Sequence, residues 1–453
     1  MVARSVTWLH PQVGSFSAGL AAFRAARLGV CLKELHGIAG FEASALRARA
    51  LLRLGDVSSA LEETGSEFDG SYRDRSEIAM LRGVALSRLG KAEESDHALF
   101  DARVYAISAG DRTREAEAEY SLAFVAFGDG DLDGARSACR RGLNCSDTST
   151  SEGGRLVVPL EHVAARLQEL LGILDAADGR YREALVHARA TLHTLGACEF
   201  RDVWQEAFAI ANLAALVRDL DDLQPDARLV SEFVTRLQWT DELAPTQFRA
   251  LESLAWWAML RGEHVEALRL FRRVSGVTTT VPQQIVLGVG RAIHASGLGQ
   301  SAIAAEEIEH GLTLSETFDW ENAAGDSRVF LLELARAAAA ISPARARRVL
   351  QRYSAIRAAM PTACVSRLEA RIHAEEAYAY GIVLRAEGRL HASTERLQKA
   401  FHTWGSIGCA WRAACVAVEL AELNAGDVFR LAIRRELRVR PDSFFAQRAR
   451  LVA

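Results

Sequence analysis

The sequence contains few of the residues that interrupt helices or favour sheets. Its 453 residues include only 8 prolines, and aromatic residues make up 7% of the chain. Sheet proteins are enriched in β-branched and aromatic residues, so this composition argues against an all-β fold. Alanine, leucine and arginine dominate instead, and all three are strong helix formers. With 49% apolar residues available for a core, we predict an all-α protein.

Lysine is almost absent. Of the 54 basic residues only Lys33, Lys91 and Lys399 are lysine, and the net charge is -4. That charge gives no overall attraction to nucleic acid or to a membrane surface. A GC-rich bacterial genome explains the arginine bias, and the alternative is planar recognition of carboxylate or phosphate groups.

Cysteines and apolar runs indicate neither secretion nor membrane insertion. The seven cysteines are odd in number and no pair has CxxC spacing. Such cysteines are typical of buried small residues in a reducing compartment. There is no uncharged apolar stretch of 18 residues and no signal-peptide pattern at the N-terminus. We therefore expect a cytoplasmic protein without membrane contact.

Catalytic and cofactor motifs are missing. The chain has no HExxH, no GxSxG and no clustered histidine, cysteine and acidic residues at metal-ligand spacing. Residues 297–301, GLGQS, superficially resemble a phosphate loop, but they lack the lysine and the preceding strand that this motif needs. We predict that the chain is not an enzyme and holds no cofactor and no metal.

A turn residue recurs about every 41 residues. Each occurrence lies between two stretches of helical length whose apolar residues recur with helical periodicity. Each period therefore predicts one helical hairpin, which must stack on its neighbours to bury its apolar face. The ten turn residues are Gly55, Gly90, Gly130, Gly179, Asp222, Gly262, Gly299, Ser342, Gly388 and Gly426.

Small residues flank these turns at fixed distances. A small side chain seven residues before the turn and another five residues after it allow the two helices to cross at roughly 8–10 Å between axes. Before the turns these residues are Gly83, Ala123, Gly172, Ala215, Ala255, Ala292 and Gly381. After the turns they are Ala60, Ala135, Ala184, Ala227, Ala267, Ala304 and Ala346.

On these residues the chain resembles the tetratricopeptide repeat family, most clearly at Gly172, Gly179, Tyr181 and Ala184. The likeness covers roughly residues 40–440, although the usual period is about 34 residues. The longer spacing is similar to the superhelical sensor region of LuxR-type, MalT-like bacterial regulators. The resemblance implies a right-handed superhelical solenoid of about ten antiparallel hairpins that acts by binding.

The predicted organisation has five parts. We expect capping helices in residues 1–40, repeats in 41–143, a loop or insertion in 144–159, further repeats in 160–440 and a tail in 441–453. The loop assignment rests on a run of serine, threonine and glycine that is typical of solvated connections.

The family resemblance also implies a concave binding groove. In tetratricopeptide proteins the residues thirteen, ten, six and three positions before the turn face this groove. Mixed aromatic and charged residues there suit an extended peptide. The alternative is that Phe124, Phe127 and Trp256 only pack between hairpins. The candidates are Glu117, Tyr120, Phe124, Phe127, Arg166, Glu169, Asn212, Arg249, Glu252, Trp256, Glu375, Tyr378 and Arg385.

The predicted function is therefore a protein-binding scaffold or regulatory adaptor with a peptide or protein partner. The alternative is a sensor that acts with nucleic acid or a small effector, its DNA-binding domain absent from this chain. That alternative rests on a basic C-terminal third, which is otherwise a solvated helix surface. A homo-oligomer formed through uncovered solenoid ends is also left open. The candidate anion-binding residues are Arg345, Arg348, Arg352, Arg434 and Arg438.

Overall fold

The computed structural model describes residues 15–65, 70–146, 158–220, 224–278, 280–320, 329–359 and 369–453. Within these ranges the chain forms 23 α-helices, one short 3-10 helix (Asp241–Leu243) and no strand. The all-α prediction is therefore confirmed. None of the described helices is both long enough and apolar enough to cross a membrane.

The helices form a chain of antiparallel hairpins, from α1–α2 to α21–α22, and α23 packs last. The N-terminal pair and the ten following hairpins agree with the predicted solenoid. The helices are α1 (Phe16–Arg24), α2 (Leu28–Leu35), α3 (Phe41–Leu54), α4 (Val57–Glu63), α5 (Tyr72–Arg88), α6 (Ala92–Ser108), α7 (Arg112–Asp129), α8 (Leu132–Ser146), α9 (Leu160–Ala177), α10 (Tyr181–Ala197), α11 (Val203–Asp219), α12 (Gln224–Arg236), α13 (Ala244–Leu260), α14 (His264–Ser275), α15 (Val281–Gly297), α16 (Ser301–Thr317), α17 (Phe330–Ala338), α18 (Pro343–Ala359), α19 (Glu369–Ala386), α20 (Leu390–Ile407), α21 (Ala410–Glu422), α22 (Asp427–Val439) and α23 (Ala446–Val452).

The predicted turn residues lie at the hairpin corners. Gly130, for example, has a φ of 85° and caps α7 by donating its N–H to the carbonyl oxygen of Phe127 at 3.2 Å. This left-handed conformation is accessible to glycine without a steric penalty. Gly299 has a φ of 73° between α15 and α16, so the sequence that resembled a phosphate loop is a repeat turn. Asp222 lies outside the described residues.

The small residues allow close helix crossings, as predicted. In the hairpin α5–α6, a Cβ added to Gly83 would lie 2.6 Å from Cγ of Leu99. The hydroxyl of Ser95 also donates to the carbonyl oxygen of Gly83 at 2.9 Å. The hairpin α19–α20 repeats the crossing, since a Cβ on Gly381 would lie 2.7 Å from Cδ2 of Leu397. At both crossings a side chain is excluded by the facing helix.

The solenoid curves until hairpins far apart in sequence meet. The hydroxyl of Thr240 donates to the carbonyl oxygen of Ala26, near the N-terminus, at 3.0 Å. In the second half, the indole N–H of Trp411 on α21 donates to the carbonyl oxygen of Arg218 on α11 at 2.9 Å. Contacts of this kind join parts of the solenoid that are distant in sequence.

The division into five parts stays a prediction, and helices lie within two of its segments that were expected to be a loop and a tail. Helix α8 continues to Ser146, inside the expected loop at 144–159, and residues 147–157 lie outside the described ranges. The expected tail at 441–453 contains α23, whose Ala446 and Ala449 are buried.

Candidate functional site on the concave face

A polar network joins α9, α11 and α13, the first helices of three successive hairpins, which the repeat resemblance predicts to line the concave face. At its centre, Nδ2 of Asn212 on α11 donates to Oε1 of Glu169 on α9 at 2.8 Å. Oδ1 of the same amide accepts from Nη2 of Arg249 on α13 at 2.7 Å. The side chain of Gln205 donates to the second carboxylate oxygen of Glu169. The turn-based register therefore selected residues that the structure brings into direct contact.

Glu117 on α7 forms the buried end of this polar face. Its carboxylate accepts from Nη1 of Arg114 at 2.6 Å and from Nη2 of Arg49 at 3.3 Å, and Nη1 of Arg166 lies 3.7 Å away. Burial alone would raise the pKa of Glu117, but the guanidiniums of Arg49, Arg114 and Arg166 more than offset it and lower the pKa to about 2. The Glu117 carboxylate is therefore charged at any physiological pH.

Beside this ion-pair cluster lies an accessible aromatic surface. The guanidinium carbon of Arg166 is 4.0 Å from the ring centroid of Tyr120, within cation–π range. Tyr120 stacks on Phe124 at 6.3 Å between centroids, and Phe124 is 38% exposed. Phe127, by contrast, is buried in the core between α7 and α9. The face thus offers an apolar contact next to positive charge.

The carboxyl group of Glu169 has a pKa close to neutral pH. Burial raises the pKa of its carboxyl to about 7, although the hydrogen bonds from Asn212 and Gln205 and the nearby Arg166 and Arg249 act in the opposite direction. Near neutral pH the group can therefore either accept two hydrogen bonds as a carboxylate or donate one as an acid.

Four of the five candidates from Glu252 onward are buried by packing, whereas Arg385 is partly exposed and donates to Glu419 at 2.6 Å. Trp256 is 2% exposed and stacks on Trp411 at 6.0 Å between centroids. Glu252, Glu375 and Tyr378 are buried as well. For Trp256 this agrees with the alternative stated above, that its side chain packs between hairpins. Ligand binding at these positions stays a prediction.

The register missed Arg412, a fully buried cation on α21. Its Nη1 lies 2.6 Å from Oε1 of Glu375, and its Nη2 lies 3.4 Å from Oε1 of Glu333. Its guanidinium carbon is also 4.5 Å from the ring centroid of Trp411. The two carboxylates belong to α17 and α19, so no local sequence signal connects them with Arg412.

The basic candidates lie on two separate helices and make contacts within the chain. On α18, Arg345 pairs with Glu309 at 2.5 Å and with Glu316 at 3.1 Å, and Arg352 donates to a backbone carbonyl of α16. On α22, Nε of Arg434 donates to the carbonyl oxygen of Ala453 at 2.7 Å. Arg348 and Arg438 are exposed. Anion binding by this set stays a prediction.

No metal centre is evident in the described ranges, because they contain no group of three or more histidine, cysteine, aspartate or glutamate residues placed to hold a metal ion.

Burial raises the pKa of the Cys31 thiol to about 11 and that of Cys139 to about 12. These two thiols therefore remain protonated at neutral pH and are poor nucleophiles.

The sequence matches no protein-family model and no curated protein. Among solved structures, a human IFIT1 dimer with PPP-AAAA aligns with 97% of this chain and 96% of that chain, at 13% identity and a TM-score of 0.45. A monomeric IFIT1 mutant with Gppp-AAAA aligns over 95% and 94% at 12% identity and a TM-score of 0.47. The APC/C hetero-tetramer Cut9–Hcn1 aligns over 95% and 88% at 14% identity and a TM-score of 0.30. Likenesses this weak transfer no ligand to the chain, whose fold rests on its own helix packing.

Proposed function

We propose that the chain is a non-enzymatic scaffold or adaptor that holds an extended protein segment against α7, α9, α11 and α13. The observation that carries this proposal is the hydrogen-bonded series Glu169–Asn212–Arg249, which runs beside the accessible rings of Tyr120 and Phe124. Side-chain amides and charged groups can hydrogen-bond a peptide backbone, and aromatic surfaces can hold its apolar side chains.

The charge pattern supports a protein segment rather than a polyphosphate. Arg166 and Arg249 lie on this face together with the carboxylates of Glu117 and Glu169. A phosphate chain would gain from the arginines but would be repelled by the carboxylates. Glu117 is buried and already accepts from Arg114, so the accessible charge is that of Arg249, which suits an acidic side chain of a peptide.

We propose that the protein works in the bacterial cytoplasm, where buried thiols such as Cys31 would stay reduced. The likeness to LuxR-type sensor regions, and the alternative of a nucleic-acid or effector sensor, stay predictions. Of the residues that such a sensor would use, Arg345 is paired with Glu309 and Glu316, and Arg352 donates to a backbone carbonyl of α16. The concave face is therefore the better-supported site.

The test begins with partners co-purified after nuclease treatment and identified by mass spectrometry, followed by calorimetry with the purified partner segment. We expect Tyr120→Ala and Arg249→Ala each to weaken binding by about 1–3 kcal/mol, as central interface residues do. Their melting temperatures should stay close to that of the wild type. Arg228→Ala is the matched control, because Arg228 is an exposed arginine on the outer helix α12.

Two outcomes would contradict the proposal. One is unchanged affinity for the partner in both concave-face variants while their fold is intact. The other is a partner that is lost when nucleic acid is digested, which would favour the sensor alternative instead.

A further inference from the structure

The C-terminal segment after α22 packs against α13, α15 and α21. The ring of Phe444 meets Trp256 and Trp411 edge-on, at centroid distances of 6.0 and 6.3 Å and with interplanar angles of 79° in both cases. The N–H of Phe444 donates to the carbonyl oxygen of Met259, near the end of α13, at 3.3 Å. One aromatic side chain of the tail is therefore held by two tryptophans from distant hairpins.

Two glycines make room for this segment. A Cβ on Gly262 would lie 2.4 Å from the carbonyl oxygen of Asp442, and a Cβ on Gly297 would lie 2.6 Å from that of Phe444. Gly262 is a repeat turn with positive φ, so its backbone conformation alone explains why glycine stands at this position. Gly297 is the last residue of α15 and has no positive φ, so only the close approach of the tail accounts for its missing side chain.

An arginine four residues after Phe444 anchors the segment electrostatically. Arg448 lies 2.5 Å from Oε1 of Glu419 and 2.6 Å from Oε2 of Glu422, both on α21. The same two carboxylates accept from Arg385 on α19, at 2.6 and 2.7 Å. They would remain paired with Arg385 if Arg448 left, so the surface can exist without the tail.

We propose that this surface, formed by α13, α15 and α21, is a second peptide-docking site that the chain's own tail occupies. A protein partner with an aromatic residue and an arginine four positions later would bind there by displacing the tail. The inference does not depend on the function proposed for the other half of the concave face. Trp256 and Trp411 contact each other directly, so the pocket walls persist when Phe444 leaves.

The energetics suit a displaceable segment. Helix α23 has only seven residues, and an isolated helix of that length is unstable in water. It stays docked because Phe445 and Ala449 pack into the core and because its covalent link to α22 sets an effective concentration on the order of millimolar. A free segment must therefore outcompete the tail, and weakening the tail's own anchor should raise the observed affinity of a free segment.

The probe is a fluorescently labelled synthetic peptide of residues 440–453, and binding is followed by anisotropy. Three full-length proteins are compared: the wild type, Arg448→Ala and the control Gln447→Ala. Arg448 has 47% of its side chain exposed, so its removal should leave the fold intact. Gln447 is an exposed neighbour on the same helix. We expect Arg448→Ala to bind the probe at least about tenfold more tightly than the wild type and the control, because its own tail competes less well.

A second probe with alanine at the positions of Phe444 and Arg448 should not bind any of the proteins. Phe444→Leu supplies a second weakened tail, should Arg448→Ala lose its helical circular dichroism. The inference is overturned if folded Arg448→Ala and Phe444→Leu bind the first probe no better than the wild type, since the tail is then a permanent cap. Concentration-dependent dimers without probe binding would also overturn it, in favour of tail exchange between copies. Tyr120 and Arg249 stay unchanged throughout, so this result is independent of the first proposal.

Discussion

Replacing the buried Arg412 by methionine should destabilise the protein strongly. Arg412 is 1% exposed and neutralises Glu375 and Glu333. Methionine keeps much of the apolar contact with the surrounding tryptophan rings but removes the positive charge. Two buried carboxylates then lose their nearest cation.

The size of the effect follows from the burial of these carboxylates. Removing one partner of a buried ion pair typically costs about 3–5 kcal/mol. Arg336, Arg218 and Arg371 still act on Glu333, so we expect a loss of about 3 kcal/mol at neutral pH. Adding Glu375→Gln to Arg412→Met should recover part of that loss, since one uncompensated charge is then gone.

The pH dependence tests the mechanism. Burial raises the pKa of Glu333, but Arg412 and the other guanidiniums more than offset it, so the pKa is lowered in the folded protein. A carboxyl with a lowered folded pKa contributes stability above its unfolded pKa, about 4.3, and this contribution is lost as the pH falls through the folded value. The variant lacks most of this contribution. The stability difference between the two proteins should therefore be largest at pH 7 and should shrink toward pH 4.

The assay is urea denaturation followed by circular dichroism at 222 nm, at pH 7 and at pH 4. Arg430→Met is the matched control, because 43% of the Arg430 side chain is exposed and its loss should cost less than about 0.5 kcal/mol. The reasoning is refuted if Arg412→Met loses less than about 1 kcal/mol at pH 7. It is refuted equally if the loss is the same at both pH values.

Two further variants test the helix crossing and the titrating carboxyl. Gly381→Ala should lower the free energy of unfolding by about 1–3 kcal/mol, because the new methyl group meets Leu397. The control Gly405→Ala, on the exposed side of α20, should raise it by about 0.5–1 kcal/mol. A Gly381→Ala protein that is as stable as the wild type in thermal denaturation would contradict the close crossing. Burial raises the folded pKa of Glu169 to about 7, so its favourable contribution is complete below about pH 4.3 and is lost as the pH rises through 7. Glu169→Gln should therefore gain stability relative to the wild type between pH 5 and pH 8 in urea midpoints, and an unchanged difference would show that Glu169 does not titrate in this range.

Some of the predicted site residues meet in one polar network, whereas others are buried between hairpins, and the difference has a physical reason. Glu169, Asn212 and Arg249 meet because helical geometry sets which residues share a face at a given distance from the turn. Whether such a face meets solvent or another hairpin is not a local property. Trp256 follows the same register, yet it is buried against Trp411, which lies far along the chain.

The sequence by itself determined the hairpin, because turn glycines such as Gly130 and small residues such as Gly83 and Gly381 act through local conformation and contact with the adjacent helix. Only the tertiary structure decided how the hairpins close on one another. Small rotations between successive repeats accumulate along a solenoid, and no single residue specifies their total. Stacking of successive hairpins brings Arg412 to its carboxylates, and the accumulated curvature places Phe444 between two tryptophans.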